Sequence, residues 1–203
     1  MHKPGLLVGG VRLLDRVLAA VPDADPRIVV GPPQPVPSDV RLVRERPPGG
    51  GPVAALAAGL SVDAPALRIG WLAVLAGDLP FLTPEVITAL RTGAIGHDGA
   101  VLVDPAGRDQ YLAGVYRVDA LGRALVSVGP PSGVPLRRVV TRLDLARVPA
   151  SPGPDAAPPW LDCDDAEDLR VAEVFAREAS GQSSAGRSTD GHRPSAGQKE
   201  ADG

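Results

Sequence analysis

The chain has 203 residues, a formal net charge of −3, a single cysteine and 3% aromatic residues. That length allows one α/β domain with a sizeable core and some excess, and the charge gives no basic footprint of the kind nucleic-acid binding shows. One cysteine excludes an internal disulfide framework and suits a reducing compartment. No apolar run approaches the roughly 20 residues that span a bilayer, and Met1 to Leu7 does not read as a secretory leader, so a cytoplasmic protein is expected.

In chain order, Val11, Leu14, Val17, Leu18 and Val21 recur at helical spacing and predict an amphipathic helix over 11–21. Arg27 to Val30 reads as a short buried strand, Gly31 to Pro37 as a Pro-rich loop, and Val40 to Val43 as a second strand. Gly49-Gly-Gly-Pro52 leads into an Ala-rich helix over Val53 to Leu60. Residues 70–76 form an apolar strand and 84–92 the helix after it. Ala100 to Val103 and Tyr111 to Arg117 predict two more strands, joined by the turn-like Asp104-Pro-Ala-Gly107.

Helices are expected over 119–127 and 134–143, then a Pro-rich connection from Pro149 to Pro159, then a closing helix from Asp165 to about Arg177. Strands alternating with helices argue for one doubly wound, mostly parallel α/β domain over 1–178. From Ser180 onward the Ser, Gly, Ala, Asp and Lys composition has no apolar periodicity. Residues 179–203 are therefore expected to be a disordered tail.

The most informative stretch is Leu75-Ala-Gly-Asp-Leu-Pro-Phe-Leu-Thr-Pro84. An apolar run ends in one carboxylate and then turns, with Thr83 placed as a helix N-cap and Pro84 as the first helical residue. Ligands of open α/β sheets bind outside the carboxyl ends of the strands. Asp78 would stand there, where a lone carboxylate commonly holds Mg²⁺ against a phosphate; its competing role is a turn or cap carboxylate. Near the end of the chain, Asp162 and Asp164 share one face of an extended segment and Cys163 turns away. These two acids could equally cap the last helix.

Several other residues have two readings. Gly49 to Pro52 allows close backbone approach to a ligand or is a flexible loop. Tyr111, Tyr116 and Arg117 line a cleft or, for Tyr116, pack in the core. Arg137 and Arg138 contact a substrate phosphate or form a solvated helix face. Cys163 lies between two acids that raise its pKa, which argues against a nucleophile. His2, His97 and His192 have no zinc-ligand spacing.

Four segments, in order, resemble the molybdenum cofactor guanylyltransferase family of MobA-like nucleotidyltransferases. They are Lys3-Pro-Gly-Leu-Leu with Gly9-Gly10, the stretch Arg44 to Pro52, the stretch Ala76 to Glu85, and Trp160-Leu-Asp-Cys-Asp-Asp-Ala-Glu-Asp-Leu169. Gln110 to Arg117 and Pro135 to Val140 fit the family's substrate half. The resemblance implies a Rossmann-like sheet that binds Mg·GTP, transfers GMP to the phosphate of molybdopterin and releases pyrophosphate. It also implies hand-over of the product to a molybdoenzyme or its chaperone. By the same resemblance, Lys3 acts as a point charge on the triphosphate, Glu45 reads the guanine, and Asp78 holds Mg²⁺ with Asp162 or Asp164.

The chain departs from the family pattern in three places. The family's Gly-rich phosphate loop and the strand before it lie upstream of Lys3, and Leu6-Leu-Val-Gly-Gly10 reads as the later turn. His2 replaces the usual Asp before Lys3. Arg46 stands where the guanine-reading acid is expected, unless Glu45 takes that role. The leading expectation is therefore an enzyme whose true start lies upstream, with a neighbouring central strand missing here. The alternatives are a catalytically dead remnant or binding module, or a related cytidylyl- or sugar-phosphate nucleotidyltransferase.

Overall fold

The structure, a computed structural model, describes residues 5–62, 70–150 and 156–185. It opens with a hairpin of β1 (Leu7–Val8) and β2 (Val11–Arg12), whose two-residue loop is Gly9 and Gly10 at φ 58° and 76°. Positive φ at both loop positions is the turn whose twist matches paired strands, and glycine adopts it without strain. The expected helix over 11–21 accordingly begins only at Leu13, as α1 (Leu13–Ala19). Val11 pairs with Val8 across the turn instead.

Then follow β3 (Arg27–Val30), β4 (Val40–Val43), α2 (Pro52–Ser61), β5 (Trp71–Leu75), α3 (Pro84–Gly93), β6 (Gly99–Val103) and β7 (Asp109–Arg117). The chain continues through α4 (Val118–Val128), α5 (Arg137–Val140), β8 (Leu145–Pro149) and α6 (Ala166–Ala185). β3 and β4 pair in parallel. The larger sheet has the order β5-β7-β6-β8, with β7 antiparallel to both neighbours and β8 parallel to β6. The expected mostly parallel sheet is thus mixed around one antiparallel strand. Among the described residues β3 pairs only with β4 and β5 only with β7, so each has one edge without a partner strand.

The sheet is covered on both faces, as a doubly wound domain requires. On one face Val17 of α1 and Ile87 and Leu90 of α3 pack with Ala100, Leu102, Ala113 and Val115. On the other, Val53 of α2, Leu121 and Ala124 of α4 and Val139 of α5 pack with Val101 and Tyr116. Alternate residues of β6 therefore serve opposite layers, as strand geometry dictates.

Three boundaries differ from expectation. The helix expected over 134–143 is confined to Arg137–Val140. Its flanks close through bonds three residues apart, such as Arg138 N–H to the Pro135 carbonyl and Leu143 N–H to the Val140 carbonyl, the tighter pattern of short helical turns. β8 lies at the sheet edge and ends in Pro149, a position where a missing N–H is tolerated. The closing helix passes Arg177 and continues to Ala185, because each added residue of a started helix gains a hydrogen bond whatever the side chains' periodicity. Residues 186–203 of the expected tail lie outside the described residues.

β6 begins at a glycine with no room for a side chain. A Cβ on Gly99 would stand 2.6 Å from the Val115 carbonyl oxygen and 3.1 Å from the Tyr116 Cα. Both neighbours are backbone in the middle of the sheet and cannot swing aside. Gly99→Ala is expected to lower the unfolding free energy by about 1–3 kcal/mol, the usual cost of overpacking, as read by urea denaturation. A variant as stable as the parent would show that this part of the sheet can relax.

Candidate active site at the carboxyl ends of the strands

β5 ends at Leu75, and Ala76 N–H still bonds to the Leu112 carbonyl at 2.8 Å. The chain then turns through Gly77 and half-buried Asp78, held down by buried Leu79 and Leu82. Thr83 takes the N-cap of α3, its side chain accepting Val86 N–H at 3.4 Å, with Pro84 in the first turn. The cap alternative for Asp78 is thereby removed.

The segment before α6 crosses this turn. Cys163 N–H donates to the Asp78 carbonyl at 3.2 Å, and Cys163 is buried with Val8, Leu13, Ala172 and Ala176. Asp162 and Asp164 on either side are exposed, the alternation expected of an extended segment. The Phe81 and Phe175 rings meet edge to face, with centroids 6.0 Å apart, so α6 also grips the far side of the Asp78 turn. Within the same stretch α6 reaches the hairpin, where Glu173 accepts Gly9 N–H at 3.0 Å.

Asp165 and Asp168 supply cap bonds at the start of α6. Asp165 accepts the N–H groups of Glu167 and Asp168 at 2.8 and 3.0 Å. The Asp168 carboxylate reaches back to Asp164 and Asp165 N–H at 3.0 and 3.1 Å. This is a reciprocal capping box, legible in the sequence as Asp165-x-x-Asp168 but not recognised there.

Asp78, Asp162 and Asp164 are brought to one place. The Asp162 carboxyl is pushed above the usual carboxylate range, first by loss of water contact and then by the charges of Asp164, Asp78 and Asp168. The same four acids, after burial, push the Cys163 thiol up to about 11, which leaves it protonated and unreactive at neutral pH. Hard oxygen donors that repel one another fit a small divalent cation, which relieves the repulsion. Among the described residues no group of three or more His, Cys, Asp or Glu side chains is placed to hold a metal ion. Such an ion would take one or two carboxylates and complete its shell from a ligand, the arrangement usual for Mg²⁺ with phosphates.

The remaining candidates separate. Lys3 lies outside the described residues. Glu45 turns inward, one carboxylate oxygen accepting Gly49 N–H at 2.8 Å, and so closes the loop that starts α2. Gly50 in that loop is buried and has no room for a Cβ, which would meet the Ala54 Cβ at 2.8 Å. Tyr116 is core, only 1% exposed, with its hydroxyl donating to the Tyr111 carbonyl at 2.7 Å. Arg117 pairs in register with Trp71 at the amino end of β5 and lies over its ring, at the opposite end of the sheet from Asp78. The reading of Arg117 as a cleft residue is therefore corrected.

Tyr111 is at the site end, its phenol donating to Asp109 at 3.3 Å, and it feels the charges of Arg137 and Arg147. One polar group there was missed. Asp104, 4% exposed, accepts Arg108 N–H and Nε at 2.9 and 2.8 Å and Gln110 Nε2 at 3.2 Å, which locks the turn between β6 and β7.

The family model of the MobA-like NTP transferase domain matches residues 1–146. The chain is 38% identical over 104 residues, 50% of its length and 51% of the relative's, to a Mycobacterium bovis protein named "Probable molybdenum cofactor guanylyltransferase". A Mycobacterium avium protein of the same name is 35% identical over 118 residues, 57% of this chain and 59% of that one. The chain thus spans about half the length of the curated relatives it matches.

Solved structures with the same fold include molybdopterin-guanine dinucleotide biosynthesis protein A from Archaeoglobus fulgidus, at TM-score 0.59 and 19% identity over 88% of this chain and 92% of that one. The 2-C-methyl-D-erythritol 4-phosphate cytidylyltransferase from Thermus thermophilus matches at TM-score 0.61 and 20% identity over 86% and 93%. With its fold, its strand-end carboxylates and a family model covering well over half its length, the chain belongs to the MobA-like NTP transferase domain family.

Proposed function

We propose that this protein carries out Mg²⁺-dependent transfer of GMP from GTP to the phosphate of molybdopterin, releasing pyrophosphate, in the cytoplasm. The observation that supports the reading is the Cys163 N–H bond to the Asp78 carbonyl, which lays the segment holding Asp162 and Asp164 across the turn at the carboxyl end of β5, while Thr83, Asp165 and Asp168 supply helix caps. Its relatives named as molybdenum cofactor guanylyltransferases support the choice of substrates.

In this reaction an oxygen of the acceptor phosphate bonds to the α-phosphorus of GTP, and the bond from that phosphorus to the pyrophosphate oxygen breaks. Positioning and neutralisation of phosphate charge supply most of the acceleration. Bound Mg²⁺ would supply that neutralisation. Asp78 is proposed as its principal protein ligand, with Asp162 or Asp164 as the second. Lys3 is proposed as a point charge on the triphosphate. Glu45 keeps one carboxylate oxygen beyond its bond to Gly49, and that oxygen is proposed to accept from guanine. The product is proposed to pass to a molybdoenzyme or its chaperone. The fold shared with a cytidylyltransferase supports CTP as the alternative donor, so GTP, CTP and UTP turnover should be compared side by side.

Asp78→Asn in the full-length protein is expected to cut Mg·GTP turnover by more than roughly a hundredfold, the upper end of what even an outer-shell partner of a metal carries, with the far-UV spectrum unchanged. Retained turnover would overturn the assignment of Asp78.

Asp162 makes a separate test. Its folded-state pKa is raised, so its contribution to stability is full below the ordinary carboxylate pKa and is lost as pH rises through the folded value. In EDTA, Asp162→Asn is expected to melt higher than the parent at pH 7, with the difference closing as pH falls below the carboxylate range. Mg²⁺ should raise the melting temperature of the parent more than that of the variant. Equal Mg²⁺ shifts in the two would remove Asp162 from the metal site.

A further inference from the structure

A hollow of about 280 Å³ lies at the end of the sheet away from Asp78. Asp98, the residue before β6, lines it on one side, Arg142 and Leu143 on another, and α4 on a third. Gly99 and Leu72 both stand opposite Tyr116, on either side of β7, so the hollow and the Asp78 turn are separated by the length of β5. α4 brings two pairs of residues to the hollow, each pair four positions apart and so on one helix face. Ala120 and Ala124 are buried, and their small side chains leave the space open above a floor. Arg123 and Ser127 are exposed and form the rim.

The polar wall is held by backbone bonds. Asp98 N–H donates to the Asp144 carbonyl at 2.8 Å, and Asp144 N–H returns to the Asp98 carboxylate at 3.1 Å. Arg117 N–H fixes the Asp98 carbonyl at 2.8 Å, and Arg142 N–H bonds to the Val139 carbonyl at 3.2 Å. A frame fixed in this way leaves little ordering for a ligand to impose.

What each group can offer follows from the bonds it already makes. Arg123 gives one N–H to Asp119 at 3.1 Å, and a guanidinium carries several more. Arg142 adds a second planar fork of the kind that matches a carboxylate. The Asp98 carboxylate takes one backbone N–H and has further lone pairs on both oxygens. Ser127 donates its hydroxyl hydrogen to the Ala124 carbonyl at 2.7 Å, so toward a ligand it only accepts. At about 30 Å³ for each water-sized group, the hollow holds roughly nine, too few for a nucleotide. A polyanion would meet the Asp98 charge, and an apolar molecule would leave all the charges unmatched. A small zwitterion with an aliphatic body matches both signs and the floor together.

We propose that this hollow binds a free aliphatic α-amino acid, its carboxylate on Arg123 and Arg142, its ammonium group on Asp98 and Ser127, and its side chain against Ala120, Ala124 and Leu143. The site stands apart from the Asp78 turn and does not depend on the reaction carried out there.

The test is an NMR titration of the full chain with L-leucine, followed at backbone amides. Saturable shifts are expected at Asp98, Ala124 and Leu143. Arg142→Ala and Asp98→Asn should each weaken binding by about tenfold, the loss of one charge-assisted hydrogen bond. The asparagine keeps an oxygen for Asp144 N–H, so the wall stays folded in that variant. Arg91→Ala, an exposed arginine in the last turn of α3, should leave binding unchanged. Isocaproate, which lacks the ammonium group, and isoamylamine, which lacks the carboxylate, should each bind about tenfold more weakly than leucine for the same reason. Either analogue binding as tightly as leucine would overturn the proposal. So would unchanged affinity in both variants with native spectra, or the absence of saturable shifts at these amides up to the solubility of leucine.

Discussion

The antiparallel strand β7 is the constraint on which the arrangement depends. It pairs along one edge with all of β5 and along the other with β6, so the ends of those two strands are set relative to each other by one set of backbone bonds. Trp71 opposite Arg117 and Leu75 opposite Ala113 leave the first residues of β7 beside the turn that carries Asp78. The register shift between Val101 and Leu102 falls on the same end, where a bulge can re-aim side chains next to a site. Gly114 lies mid-strand with no space for a Cβ, which would meet the Tyr116 ring at 2.8 Å and the Ala100 carbonyl oxygen at 3.0 Å. The buried Tyr116 ring folds back over that glycine, and its hydroxyl fastens the Tyr111 carbonyl. Core packing on β7 and presentation of Tyr111 at the cleft are two results of one side chain's placement.

From that frame the site is closed by sequence-distant pieces. The Cys163-to-Asp78 backbone bond spans 85 residues of chain by number, and the cluster around Cys163 joins the hairpin, α1 and α6 in one small core. A small apolar side chain is what that position requires. The thiol is used for its size and burial, and the acids around it keep it protonated. α6 therefore has two tasks that cannot be separated. Its apolar face covers the hairpin, and its capped amino end places Asp162 and Asp164 beside Asp78.

Much of this was legible in the sequence because the signals were local. The apolar run into Asp78, the Thr83–Pro84 start and the alternation of Asp162, Cys163 and Asp164 each depend on residues within a few positions of one another, and each appears as read. The antiparallel direction of β7 was not legible, because an apolar strand pattern carries no sign of direction. Arg117 was misplaced for that reason: reversing a strand moves its last residue from one end of the sheet to the other. The turn at Gly9–Gly10 was read but not the strand pair around it, although paired glycines between apolar residues are a hairpin signal, since the helical spacing of Val11 with Leu14 masked it. The inward turn of Glu45 depends on where Gly49 N–H points, which composition does not encode. β8 was not read, because its short apolar run lies between the helix expected over 134–143 and the Pro-rich connection that begins at Pro149, and only its place at a sheet edge makes Pro149 acceptable.

Carboxylates at strand and helix ends have two ordinary uses, capping backbone N–H groups and holding cations, and sequence alone does not distinguish them. Here the caps are accounted for residue by residue: Thr83 at α3, and Asp165 with Asp168 at α6. Asp162 is raised rather than lowered in pKa, first by partial burial and then by the nearby charges of Asp164, Asp78 and Asp168. Capping would have lowered it, since N–H donors favour the ionised form. A fold gains nothing from a carboxyl held above its ordinary pKa, and such conflicts between local stability and arrangement are expected at functional sites.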